Sequence, residues 1–273
     1  FYPQLIPNAS SCRSPMGMVS ALIKTYYAQK KGIDPKDIFV VSVMPCVAKK
    51  YEMERKEQVL DGMKITDAVL TTREATWMMK SFGIDFKNLP DGEFDSPLGE
   101  STGAGDIFGA TGGVMEAALR TAVEIMTGKP LADVEFKDVR AVEGLREREF
   151  TIGDKTLHIG VANGLVNAQK LLDKVVSGEK QFHIIEVMAC PGGCIGGGGQ
   201  PYPPAGYQIL DPVLFAKRTQ ALYNIDAKKK YRTSCDNPSI KKIYEEFLKE
   251  PGSSIAHKIL HTTYAPAYPR GIL

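Results

Sequence analysis

Apolar and polar positions along the chain switch repeatedly between a helical period and short β-type runs. In SSCRSPMGMVSALIKTYYAQKKG, Val19, Leu22, Ile23, Tyr26 and Tyr27 recur at helical spacing, with Ser14 placed to cap, Pro15 at the first helical position and Gly32 as the stop. IFVVSVM (38–44) is a β-branched run of buried-strand length that closes on Pro45-Cys46. DAVLTT (67–72) predicts a second short strand, followed by a helix over REATWMMKSFG with Thr71 and Glu74 spaced as a capping box. From Leu89 to Gly112 the chain is rich in Gly, Asp, Ser and Pro and reads as one long, functional loop. An amphipathic helix follows over 112–129. VRAVEGL (139–145), REREFTI and KTLHIGVAN predict strands, the last two a hairpin around Gly153-Asp154. GLVNAQKLLDKVVSG predicts a helix with Asn163 as cap, and FHIIEVMAC (182–190) a strand that runs into a glycine-rich loop.

Strands alternating with helices favour an α/β fold with parallel sheets, whose ligands gather at the carboxyl ends of the strands. Two cysteine motifs sit at such ends, Cys46 after IFVVSVM and Cys190 after FHIIEVM. Residues 212–273 differ in character: eleven basic side chains against five acidic ones make this part +6, leaving −4 for the rest. It reads as two or three helices appended to the body, with its basic side chains on a solvated face or, in the second reading, a docking surface for an acidic electron carrier. The 273 residues are 43% hydrophobic and 24% charged, a globular composition. A net charge of +2 argues against a nucleic-acid protein dominated by phosphate contacts. No apolar run approaches the ~20 residues of a membrane span. Five cysteines make a poor disulfide framework in so long a chain and suit a reducing compartment or a metal site.

EVMACPGGCIGGGGQPY (186–202) holds Cys190 and Cys194 at C-x3-C among six glycines. Such a loop presents backbone N–H groups without side-chain obstruction, which a negatively charged sulfide cluster needs nearby. MPCVAKKYE (44–52) places Lys49 three residues and Glu52 six residues after Cys46. Taken by themselves, three thiols are one short of the usual four-thiolate cluster site, and none of the four histidines lies at zinc-finger spacing. Cys12 and Cys235 read as structural. STGAGDIFGATGG lacks the endings of phosphate-binding and dinucleotide loops, and no hydrolase motif is present.

VMPCVAKKYE and EVMACPGGCIGGGGQP closely resemble the second and third cysteine signatures of the iron-only (FeFe) hydrogenases. TGAGDIFGATGGVMEAALRTA resembles the segment between them, ILHTTY the family's C-terminal helix, and the basic tail its small-subunit segment. The resemblance implies two lobes of parallel or mixed sheet flanked by helices, with the cluster site between them, plus a C-terminal helical tail. It divides the chain into a catalytic region, 1–211, and a small-subunit-like segment, 212–273. It implies an H-cluster: a 4Fe-4S cubane bridged to a diiron unit carrying CO, cyanide and a dithiolate amine. By match of motif, Cys46, Cys190 and Cys194 are cubane ligands, Cys194 the bridging one. Lys49 hydrogen-bonds a cyanide, Met44 and Met188 pack on the diiron unit, and Phe108 walls the cavity. Ser10 matches a serine of the proton path, and Glu52 lies behind the residues that touch the cluster; Lys49, Ser10 and Glu52 are the implied catalytic set.

The implied activity is reversible oxidation of H2 to protons and electrons, with ferredoxin or a related carrier, maturation proteins for the diiron unit, and a cytoplasmic setting, with a periplasmic one, as in some relatives, the alternative. The first signature, T-S-C-C-P-x-W, with its fourth cubane ligand, is absent from the chain, and Met16 stands where the family often carries Gln. The chain therefore reads as part of a longer enzyme, inactive alone. A non-catalytic iron-sulfur assembly protein of the Nar1/Narf group and a sensory hydrogenase are the alternatives.

Overall fold

Ser14 opens the first helix as its position suggests: its hydroxyl accepts from Gly17 N at 3.3 Å, Pro15 fills the first turn, and the helix runs Pro15–Leu22. In this computed structural model, which describes residues 1–129, 134–140 and 144–266, the helix continues through a π turn, Ile23–Tyr27, into Ala28–Lys31. Gly32 then ends it in the left-handed conformation. The expected apolar stripe is only partly the buried one. Val19 is 48% exposed, whereas Met16, Ala21, Leu22, Tyr26 and Ala28 are buried. A π turn takes an extra residue per ring, so the faces before and after it are out of phase and no single 3.6-residue period spans both.

The first sheet is a parallel pair. β1 (Val41–Met44) and β2 (Ala68–Thr71) place Val41 opposite Ala68 and Met44 opposite Thr71. The 38–44 run, expected to be buried, is instead half open: Phe39 is 72% and Val43 52% exposed. Its strand has one sheet partner and one covered face, so the pleat alternates rather than burying both sides. The helix Thr72–Ser81 starts with the expected capping box, Thr71 N donating to Glu74 Oε2 at 2.8 Å and Glu74 N to Thr71 Oγ1 at 3.2 Å. Donation to the carboxylate from Thr71 N, Lys50 and the Thr71 hydroxyl pulls the Glu74 carboxyl down to about 2.

The second sheet has β3 (Leu145–Ile152) antiparallel to β4 (Lys155–Asn163), which is parallel to β5 (Ile184–Met188). The central strand β4 is buried continuously over Ile159–Ala162 because both its faces are covered. Met115 and Leu119 of the helix Gly113–Thr127 pack on Ile159 and Val161, and Ala168 and Leu171 of the helix Leu165–Val176 pack beside Ala162. Three expectations change here. Of the run 139–145, Val139 closes the 3-10 turn Lys137–Val139, residues 141–143 lie outside the described residues, and Leu145 already belongs to β3. The long loop of 89–112 contains a helical turn, Gly103–Asp106, and a 3-10 turn, Ile107–Gly109. Asn163 caps no helix; Gly164 occupies that position.

The C-terminal part forms the helices Pro212–Lys228, Pro238–Ile243 and Ser254–Leu260, each with proline or serine at its start and a side-chain cap from Asp211, Asn237 or Ser253. It is built into the body rather than appended. Ile243, Leu248, Ile259 and Leu260 share one core with Ala21, Leu22 and Tyr26 of the first helix. A buried ion network makes the second joint. Arg120 donates to both oxygens of Asp226 and to Glu116 Oε1, all at 2.9 Å, and these three side chains are wholly buried. Arg140 holds Glu116, Arg232 holds Asp226, and the Tyr223 hydroxyl donates to Glu116 Oε2. Burial opposes ionisation of Asp226, but the hydrogen bonds from Arg120 and Arg232 outweigh it and hold the carboxyl below its ordinary range. Among the described residues no helix is long and apolar enough to cross a membrane.

Removing one partner of such a network strands the other charges in the interior. Asp226→Ala should cost about 3–5 kcal/mol in urea unfolding at pH 7. Because the folded value is depressed, Asp226 stabilises fully above its unfolded value and loses this contribution as pH falls through the folded one. The gap between wild type and variant should therefore narrow below about pH 4, where the unfolded carboxyl takes up its proton. A gap independent of pH from 7 to 2 would contradict this role.

Candidate functional site

Both strands that end in methionine deliver a cysteine just beyond their carboxyl ends. After Met44, residues 45–47 turn into the helix Ala48–Met53, placing Cys46 in the turn. After Met188, the chain turns through Cys190 into the 3-10 turn Cys194–Gly196. The two ends are stitched together by backbone. Gly199 N donates to Pro45 O at 2.9 Å, Arg73 N to Gly199 O at 3.2 Å, and Thr111 N to Gly192 O at 3.1 Å. Two glycines beside these contacts leave no room for a side chain. A Cβ on Gly197 would sit 2.2 Å from Pro45 O, and one on Gly193, whose φ is 98°, would sit 2.8 Å from both Gly109 O and Thr111 N. The glycine run is thus the seam between the two sheets.

Asn163 contributes to this seam in a way its sequence context does not suggest. Its side-chain amide donates to Cys190 O at 2.6 Å and to Thr111 Oγ1 at 2.8 Å. Glu186 is a second such residue. Buried on β5, its carboxylate accepts from Gly112 N at 2.7 Å and Met115 N at 2.6 Å, closing the start of the 113–127 helix. Burial pushes its carboxyl up, and the backbone donors work against that. The alternation in HIIEVM, with a lone acid among apolar positions, was the available signal.

The seam brings three thiols together. Burial pushes the Cys194 thiol up, the neighbouring Cys46 and Cys190 sulfurs push the same way, and Lys49 opposes them. All three are free and partly buried. Three neighbouring, partly buried cysteines can all ionise together only if positive charge joins them, which metal supplies as the protons leave. Among the described residues no three His, Cys, Asp or Glu side chains converge on one ion position. A cubane holds its thiolates at separate corners, so the donor set fits an iron–sulfur cluster better than a single ion.

Lys49 reaches the same site from the helix 48–53, where its ammonium pairs with Glu52. Glu52 also accepts from the Ser14 hydroxyl at 2.5 Å, so the cap of the first helix is tied to Lys49 through one carboxylate. Met44 and Met188 are half-buried at their strand ends. Phe108 packs with Ala104, Ile107, Ala110 and Tyr223. Ser10 is exposed, its hydroxyl accepting from Cys12 N at 3.3 Å with no hydrogen bond to Glu52 or Lys49. Cys12 is exposed and paired through backbone with His261, and Cys235 donates to Glu124, so neither joins the site.

Residues 1–198 match the family model of the iron only hydrogenase large subunit, C-terminal domain. The chain belongs to the iron-only hydrogenase family. Residues 213–267 match the model of the iron hydrogenase small subunit. The hydrogenase relatives include the NADP-reducing hydrogenase subunit HndD of Solidesulfovibrio fructosivorans, 51% identical over 96% of this chain and 44% of its own length. Iron hydrogenase 1 of Clostridium pasteurianum is 44% identical over 97% of this chain and 46% of its own. The chain thus spans less than half the length of these two relatives. A solved FeFe-hydrogenase of Chlamydomonas reinhardtii superposes with a TM-score of 0.79 at 42% identity, covering 96% of this chain and 72% of that one. The α/β fold is that of the hydrogenase neighbours. Protein NAR1 of Arabidopsis thaliana is also similar, 33% identical over 96% of this chain and 57% of its own length.

Gly197→Ala tests the hydrogenase seam directly. A Cβ forced against the Pro45 carbonyl should lower stability by about 1–3 kcal/mol and part the Cys46 turn from the Cys194 turn. Thermal unfolding and iron uptake by the variant check both effects. Unchanged stability and uptake would show that the backbone approach is not needed.

Proposed function

We propose that this segment is the H-cluster region of an enzyme that reversibly oxidises H2 to protons and electrons. The observation that carries the reading is the meeting of Cys46, Cys190, Cys194 and Lys49 at the joined ends of two strands. In this reading Cys46, Cys190 and Cys194 would hold the 4Fe-4S cubane of an H-cluster, Cys194 would be the thiolate shared with the diiron unit, and that unit would carry CO, cyanide and a dithiolate amine. The bound cluster supplies an open iron position and an adjacent base for heterolytic H2 cleavage. The chain's own residues orient it and keep water away. Lys49, oriented by Glu52, offers N–H donors and positive charge to anionic ligands of the diiron unit. Met44, Met188 and Phe108 give the cavity apolar walls. The hydroxyl of Ser14 and the carboxylate of Glu52 form a hydrogen-bonded step through which a proton can move, with Ser10 farther along the path.

The division into a catalytic region, 1–211, and a small-subunit-like segment, 212–273, belongs to the same reading and is supported by the two family models on either side of it. So do a ferredoxin-type electron carrier, maturation proteins and a cytoplasmic setting. The assembly-protein reading has support from the NAR1 relative, but hydrogenases reach 44–51% identity where NAR1 reaches 33%.

In the full-length, matured protein, Cys194→Ala should abolish H2 turnover and leave no diiron iron. Lys49→Ala should cut diiron retention or activity about 10–100-fold, read by iron content and H2 evolution. Wild-type occupancy in Lys49→Ala would remove its role. The 273 residues alone hold three of the four thiolates a cubane takes, so they should show no H2 turnover after exposure to the maturation proteins; substantial turnover would refute this.

A further inference from the structure

The 212–228 helix lies directly on the cysteine turn. Arg218 Nη1 donates to Ile195 O at 2.7 Å, the carbonyl immediately after Cys194 in the chain. Nη2 of the same guanidinium donates to Pro201 O at 3.4 Å, so one side chain grips the glycine run on both sides. Four residues along, Leu222 packs on Gly109, where a Cβ would meet it at 2.8 Å. On the other side Phe215 faces the turn itself, its ring 3.2 Å from where a Cβ of Gly192 would lie and 3.1 Å from that of Gly196. The two glycines that flank the Cys194 turn are therefore covered by one aromatic ring and its carbonyl is held by one cation. Both come from the part of the chain matched to the small-subunit family.

We propose that Arg218 is a positioning residue for Cys194: by holding the Ile195 carbonyl, with Phe215 as the backing surface, it fixes the backbone that aims the Cys194 sulfur. The proposal rests on the reading that Cys46, Cys190 and Cys194 hold an iron–sulfur cluster. It removes Arg218 from the solvated basic face expected of the tail. A carbonyl gripped at the residue after a ligand restricts that residue's ψ and so fixes the peptide segment on which the ligand's Cα sits, and a planar fork that reaches two carbonyls does so with little freedom of its own. Loss of such outer contacts typically costs about 10–100-fold in metal affinity.

The test uses the full-length protein reconstituted with iron and sulfide. Iron affinity is read by chelator competition, the reduced cluster by electron paramagnetic resonance, and the fold by thermal unfolding. R218A and R218Q each remove the two-carbonyl fork, and a folded variant of either kind should bind cluster iron about 10–100-fold more weakly with an altered resonance line shape. R218K, which keeps one donor for Ile195 O, should recover part of both. K217A, on the same helix but bonded to the Tyr207 hydroxyl, should match wild type. A folded R218A or R218Q with wild-type affinity and line shape overturns the proposal, whatever its melting temperature. So does an R218K that recovers nothing. If wild type takes up no cluster, the cluster reading itself fails and the positioning role with it, an outcome distinct from a wild-type-like R218A.

Discussion

The structure depends on one close approach. The backbone from Cys190 to Gly199 runs between the carboxyl ends of two separate sheets, near enough to Pro45 and to 109–111 that a methyl group at Gly193 or Gly197 has no place. Everything functional follows from that proximity. Cys46 follows a strand of one sheet and Cys190 and Cys194 follow a strand of the other, and they share an electrostatic environment where glycines at 193, 197 and 199 let the two turns approach. Glycine costs conformational entropy on folding, here concentrated in the one segment where its absence of bulk is needed.

The seam is backed by charge. Glu186 closes the start of the 113–127 helix, and Glu116 and Arg120 on that same helix anchor the ion network reaching Asp226 and Arg232. The 113–127 helix is thus braced at its start by Glu186 on the strand that ends at Met188 and along its length by ion pairs to the C-terminal helices. Buried ion pairs of this kind hold together through their hydrogen bonds, and removing one partner leaves the other stranded. The segment 212–266 is in this sense part of the site's foundation rather than an appendage.

Local signals in the sequence suffice where local chemistry decides. The Thr71–Glu74 box, the turn at Gly153-Asp154 and the two strands ending in methionine all lie where their residues place them. The cysteine motifs were legible because their spacing and glycine content are specific. What escaped depended on partners distant in sequence. Nothing near Asn163 announces that its amide serves Cys190 rather than a helix, and nothing near Arg218 distinguishes it from the exposed Lys217. The run 38–44 is less buried than its composition suggests because an apolar run reveals strand propensity but not how many neighbours the strand will have. Val19 is exposed despite its helical spacing because a π turn breaks the 3.6-residue period.

The central claim is that the joined cysteine turns hold an H-cluster, not a cubane alone. The most direct measurement is the infrared spectrum of the full-length protein after maturation. The account expects sharp bands from carbon monoxide and cyanide on iron, and their loss in Cys194→Ala. A protein that carries cubane iron yet shows no such bands would contradict it and would place this chain with the assembly proteins instead.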